Sequence, residues 1–232
     1  EINPGENFEL FDESFIDKEY EKEFKKNRLI KHVILLKELD STKYAKDILK
    51  HLASLNVEKG SEVLAAKLST QVGRYDFAIQ ISKQASYGKR FYNKYNYPII
   101  ATPKEINNKV MPKSEVVLAI IRQESEFDSK ANSWAGARGM MQLMKYTAKI
   151  VAKEAKLPYS ISRLTRDPEY NIKLGSYYFN SLIEDYNGVY PFAIAAYNAG
   201  PNRVKTWRRV NGDPSKGKLS YVNWIELIRF KE

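Results

Sequence analysis

A carboxylic acid stands where a helix would normally bury an apolar side chain. In the stretch MPKSEVVLAIIRQESEF, residues 111–127, Val117, Ile120 and Ile121 recur at the three- and four-residue spacing of one helical face. Glu124 lies on that same face, four residues beyond Ile120 and three beyond Ile121. A desolvated carboxyl holds its proton to higher pH, as a general acid working near neutrality must. Pro112 is expected in the first turn of this helix, with Ser114 and Glu115 at its positive end. Downstream, GARGMMQLM (residues 136–144) supplies two glycines, a glutamine and three methionines, and is expected to form a loop packed against the carboxyl.

A mechanism that shares its work between two carboxylates needs the second one close by. At about 100° per residue, Glu126 points roughly 200° around the helix from Glu124. With Arg122 it is expected to form an exposed i,i+4 pair. Asp128 comes one turn after Glu124, past the expected helix end. One well-placed carboxyl favours a reaction in which the substrate supplies the second group.

Composition narrows the chemistry further. The chain has 232 residues, enough to bury a sizeable core as one large domain or two small ones. It has no cysteine, which removes disulfides, zinc–thiolate sites and cysteine nucleophiles. Its two histidines, His32 and His51, lie far upstream, so neither a Ser-His-Asp triad nor a histidine metal site is expected near Glu124. The net charge is +10, with +3 on residues 1–109 and +7 on residues 110–232. A basic second half suits an anionic partner, yet no basic run is long enough for a nucleic-acid arm. No apolar run is long enough for a membrane span and no signal peptide is evident. The start at Glu1, without methionine, is read as the mark of a segment removed upstream.

The elements that must position Glu124 read as helices throughout. A short first helix from about Asp12, with Phe15 and Tyr20 inward, or else a charged lead-in, precedes helices near 28–38, 42–54, 58–71 and 75–86. Short helices joined by short turns suggest the end of an α-solenoid-like array. Residues 87–111, rich in Tyr and Asn and broken by Pro98 and Pro103, read as a connection between domains. After Met144 a helix is expected to about Ala155. Another starts at Asp167-Pro168 and runs to about Asp185, with Leu174, Tyr178, Leu182 and Ile183 on its core face. PFAIAAYNAG then forms a helix closed by Gly200, and Pro201 opens the next, through Trp207. The fold class is all-α, with at most a minor β element. The domains are a helical array over 1–94 and a second domain over 95–232.

Three segments, IRQESEF, GARGMMQLM and AAYNAGPNRV, together resemble the signature of the soluble lytic transglycosylases, enzymes that cleave bacterial peptidoglycan. Glu124-Ser125, Gly136 to Gln142 and Ala196 to Gly200 occur in the family's order. YNYP at 95–98 and Trp224-Ile225-Glu226 fit its larger members. The departures are Met140 where leucine is common, Lys145 where proline is usual, and Ile228-Arg229-Phe230 in place of Ile-Pro-Phe. The resemblance implies a lysozyme-like catalytic domain behind a helical superhelix, in the periplasm, needing no cofactor and no metal. It implies that Glu124 protonates the oxygen between N-acetylmuramic acid and N-acetylglucosamine, then acts as base to close a 1,6-anhydro ring. Tyr197 would orient Glu124, or be a core tyrosine.

By motif position the resemblance makes Ser133, Gly139, Gln142, Met144, Asn198 and Glu226 the substrate-binding candidates. Ser133 reads equally as a turn residue, and Gln142 and Asn198 as buried caps. Gly136 and Gly139 are expected to allow close backbone approach, and Met141 to be core. Trp134, Tyr146 and Trp207 either stack on sugars or pack. The partners expected from the resemblance are peptidoglycan glycan strands, with the helical array open to a protein partner, and neither nucleic acid nor an integral membrane span is expected. Two alternatives stand beside this reading: a lysozyme-type hydrolase, and a non-catalytic module that binds peptidoglycan or serves assembly.

Overall fold

Cap residues decide where the helices begin. The computed structural model describes residues 16–229. Asp17 accepts hydrogen bonds from the backbone N–H groups of Glu19 and Tyr20 at 3.0 and 2.8 Å. This opens α1 (Lys18–Lys26), which buries Tyr20 and Phe24. Asp12 and Phe15, expected in this helix, lie outside the described residues. Asn27 caps α2 (Arg28–Glu38) in the same way. Then come α3 (Ala45–Ser54), α4 (Ser61–Gln71), α5 (Tyr75–Tyr87) and the single turn α6 (Asn93–Asn96). Where helices are expected from about 42 and 58, the chain first makes 3-10 turns, Thr42–Tyr44 and Val57–Lys59. Hydrophobic period does not separate one such turn from the α-helix it feeds.

The chain divides into two compact units. One holds residues through Ala101 together with Leu118–Gln142; the other holds Thr102–Val117 and the chain from Leu143 onward. In the first unit each helix from α2 to α6 packs on the next, and α4 also touches α1, α3 and α6. A helix enclosed on so many sides must bury polar groups, and these are satisfied. Ser69 Oγ donates to Ala65 O at 2.8 Å. The Glu62 carboxylate takes a fork from Arg90 at 2.8 and 2.9 Å and the Tyr92 hydroxyl at 3.0 Å. Burial, with the Glu62 charge beside it, pushes the Tyr92 phenol up to about 12.

In the second unit, β1 (Glu105–Ile106) and β2 (Lys109–Val110) form an antiparallel hairpin. Its turn residues Asn107 and Asn108 both take positive φ, 49° and 61°, a conformation asparagine tolerates. Residues 87–111 thus carry one helical turn and one hairpin, both too short for any periodicity to register. After α7 (Ser114–Ser125) come α8 (Lys145–Glu154), α9 (Arg163–Arg166), α10 (Pro168–Asp185), α11 (Tyr190–Ala199), α12 (Pro201–Val210) and α13 (Tyr221–Glu226). The helix α10 is central here, packing on α8, α9 and α11 and burying Leu174, Phe179 and Leu182. Trp224 of α13 is fully buried, edge-on to Phe192 at 4.9 Å. The fold is all-α, with the two-strand hairpin as a minor β element.

Asp167 caps α10 and bonds Arg163 at 3.1 and 2.8 Å. The Tyr170 N–H, and after it Arg163, hold its carboxyl below the usual range. A depressed folded-state pKa adds stability above the unfolded value of about 3.9, and that stability is lost as pH falls. Asp167→Ala should therefore cost about 1 kcal/mol at pH 7, and the gap should close on acidification. Denaturant unfolding at neutral and strongly acidic pH checks this; an equal gap at both would contradict it.

Candidate active site

The helix carrying Glu124 stops one residue after it. Val117 and Ile121 of α7 are fully buried and Ile120 nearly so, while Glu124 on the same face is half-buried. Pro112 precedes the helix and does not open it: α7 starts at Ser114, with the Lys113 carbonyl accepting from the N–H groups of Val116 and Val117. Past Ser125, Glu126 and Phe127 both take left-handed φ, 51° and 66°. That conformation costs roughly 1–2 kcal/mol for each non-glycine residue, so other contacts must hold it.

Phe127 is 2% exposed, its ring 6.2 Å from that of Tyr75. The Glu126 carboxylate receives Lys83 Nζ at 2.7 Å and Arg122 Nη1 at 3.3 Å. Arg122 in turn donates to the Asn96 carbonyl and to Asn96 Oδ1, each at 3.0 Å. The expected exposed Arg122–Glu126 pair is therefore a partly buried junction with α5 and α6. The helical-wheel angle assigned to Glu126 fails as well, because that residue has left the helix. Asp128 accepts the Lys130 N–H at 2.9 Å, beyond the helix end.

The following turn is bound to that helix end. Ser125 Oγ donates to Met140 O at 2.8 Å. Ser133 Oγ accepts the Ala137 N–H at 2.9 Å, and the backbones of Ser133 and Ala137 also pair. Gly139 N–H donates to Ala131 O at 2.8 Å, and Gly139 O accepts from both N–H and Nε2 of Gln142, at 3.1 and 2.8 Å. These bonds of Ser133 and Gln142 lie inside the turn. Met140 and Met141 are buried beneath it. Gly136 has φ +88°, and a Cβ there would meet nothing within 4 Å. It serves the backbone angle, not the close approach expected of it. Met144 at the start of α8, Tyr146 and Trp134 are exposed, Trp134 completely.

In the second unit the YNAG segment ends α11. Gly200 takes φ 88°, ψ 148°, open in practice only to glycine, so α12 can begin at the very next residue, Pro201. Half-buried Tyr197 lies 5.4 Å from the Tyr178 ring and 5.8 Å from Phe179, ring centre to centre. Its neighbour Asn198 lines a groove of about 520 Å³ with Tyr190, Ile194, Trp207, Ile225 and Glu226.

The structure thus joins Ser133, Gly139 and Gln142 in one turn bonded to the helix end that carries Glu124. It joins Asn198, Trp207 and Glu226 in one groove. Tyr190 and Ile194 were missed, although they precede Asn198 at steps of four and are partly exposed apolar residues. Among the described residues, no group of three or more His, Asp or Glu could hold a metal ion. None of their helices is long and apolar enough to cross a membrane.

The fold is that of known lytic transglycosylases. The chain superimposes on the 70-kDa soluble lytic transglycosylase from Escherichia coli with a TM-score of 0.72 at 26% identity, covering 97% of this chain and 36% of that one. An inactive mutant of the lytic transglycosylase Slt from Pseudomonas aeruginosa gives 0.69 at 26% identity, covering 93% and 34%. In sequence the chain is 34% identical over 171 residues to the soluble lytic murein transglycosylase of E. coli K12, covering 70% of this chain and 26% of that protein. A putative soluble lytic murein transglycosylase of Haemophilus influenzae is 41% identical over 119 residues, covering 50% and 19%. A family model described as the Transglycosylase SLT domain matches residues 102–220, and the chain belongs to that family. It spans about a quarter of the length of the E. coli relative.

Gly136→Ala should cost about 1 kcal/mol or more through its backbone angle alone, and Gly136→Asn less, because asparagine enters the left-handed region more readily. Denaturant midpoints measure both; equal losses would contradict this account of the turn.

Proposed function

We propose that this chain is the peptidoglycan-cleaving portion of a lytic transglycosylase, with Glu124 as general acid and then base. The observation that carries this reading is the place of Glu124: it shares the apolar face of α7 with Val117, Ile120 and Ile121, and lies one residue from Ser125, which is bonded to the glycine turn. Glu126 and Asp128 come after the helix has ended. The family match over residues 102–220 supports the same reading.

In the proposed reaction Glu124 donates its proton to the oxygen linking N-acetylmuramic acid to N-acetylglucosamine, and the glycosidic bond breaks. The substrate's acetamido oxygen bonds to the cationic carbon and gives an oxazolinium-like intermediate. Glu124, now a carboxylate, takes the proton of the C6 hydroxyl. Its oxygen displaces the acetamido group and closes a 1,6-anhydro ring. The acid is regenerated and no water enters. The tethered hydroxyl gains from proximity what free water lacks.

Tyr197 is assigned to orient Glu124. Ser133, Gly139, Gln142, Met144, Asn198 and Glu226 are assigned to the glycan and its peptide stem. In functional terms the division is a supporting helical array over 1–94, also offered to a protein partner, and a catalytic part over 95–232. The site of action is the periplasm, where the +7 charge of residues 110–232 suits an anionic wall polymer.

Muropeptide release from purified peptidoglycan tests the assignment. Glu124→Gln should fold normally and lose activity roughly a hundredfold or more, because an amide cannot donate and reclaim the proton. Tyr197→Phe should lower kcat by roughly tenfold with the melting temperature nearly unchanged. Full activity in Glu124→Gln would move the acid elsewhere.

A further inference from the structure

The catalytic carboxyl sits at the last turn of a helix, and what fixes that turn comes from another part of the chain. Glu126 and Phe127 adopt the left-handed conformation in succession, which neither residue type favours. The pair is clamped on both sides by α5. Phe127 packs on Tyr75 at the start of α5, and the Glu126 carboxylate meets Lys83 two turns further along it. Arg122, one turn before Glu126, bonds the same carboxylate and reaches Asn96, the last residue of α6. The general acid is thus two residues from a strained turn that relaxes unless these contacts hold it.

We infer that Lys83 is a positioning residue for the reaction: through its ion pair with Glu126 it holds the end of α7, and with it the rotamer of Glu124, in working geometry. Lys83 lies 41 residues before the acid and belongs to the helical array, so the array acts on catalysis itself and not only on the surroundings of the enzyme. This inference rests on the reading of Glu124 as the acid. Lys83 touches neither substrate nor reacting atoms; it acts through Glu126. Its side chain is 48% exposed, so the contribution to overall stability should be small and the contribution to kcat separable from it.

Steady-state kinetics on soluble, uncross-linked peptidoglycan strands test it. Lys83→Met keeps the aliphatic stem and removes the charge. It should lower kcat by roughly tenfold with KM unchanged, since a small misplacement of a reacting group costs rate and not binding. Lys83→Arg should restore most of the lost kcat. Glu126→Gln should lower kcat to a similar degree, and the double variant Lys83→Met with Glu126→Gln should be no slower than the slower single variant. Multiplying losses in the double variant would show that Lys83 acts other than through Glu126, and would overturn the inference. So would wild-type kcat in Lys83→Met, or a change confined to KM. Glu124→Gln in the same assay separates the two levels: if it is inactive while Lys83→Met is unaffected, the positioning role alone fails. If Glu124→Gln keeps full activity, the assignment of the acid fails and the inference falls with it.

Discussion

Everything proposed for this chain depends on how α7 ends. A carboxyl near a helix terminus has two natural fates: it is solvated, or it caps something. Here the helix is cut off at Ser125 by two consecutive left-handed residues, and Ser125 is bonded to the turn that follows. The cut uses contacts of three kinds. Phe127 supplies burial, Glu126 supplies ion pairs, and Ser125 supplies a hydrogen bond to Met140 O. An uninterrupted helix would carry the chain away from Glu124. The break folds the 131–142 turn back onto the helix end instead.

That arrangement explains why single residues in the three signature segments have distinct physical work. Gly136 and Gly200 supply backbone angles that other residues resist, the first inside a turn and the second between two helices that share one junction. Ser133 and Gln142 brace the turn from within. The groove bearing Asn198, Trp207 and Glu226 is lined mainly by apolar side chains with a few polar groups, a composition that suits the mixed faces of a sugar.

Much of this was legible in the sequence. Helical period gave α2, α5, α8 and α10 to within a residue or two, because each has an amphipathic face, and Pro191 and Gly200 bracketed the nearly all-apolar α11. The burial of Val117, Ile120 and Ile121 followed from spacing alone. What spacing could not give was anything that depends on leaving the helix. Glu126 was placed on a helical wheel, although its φ of 51° takes it off the wheel. Its partner Lys83 and Arg122's partner Asn96 are 43 and 26 residues away, and no local pattern marks a pair formed by tertiary packing. The hairpin at 105–110 escaped because two-residue strands cannot alternate. The Tyr190–Ile194–Asn198 stripe could have been found by extending the spacing backward from Asn198.

The central claim is that one carboxyl performs both proton transfers while the substrate's own hydroxyl attacks. Mass spectrometry of the products released from peptidoglycan in ¹⁸O-labelled water tests this most directly. The account predicts 1,6-anhydromuropeptides, lighter by one water than hydrolysis products and free of label. Reducing-end muropeptides carrying ¹⁸O would contradict it and make the chain a hydrolase of the lysozyme type.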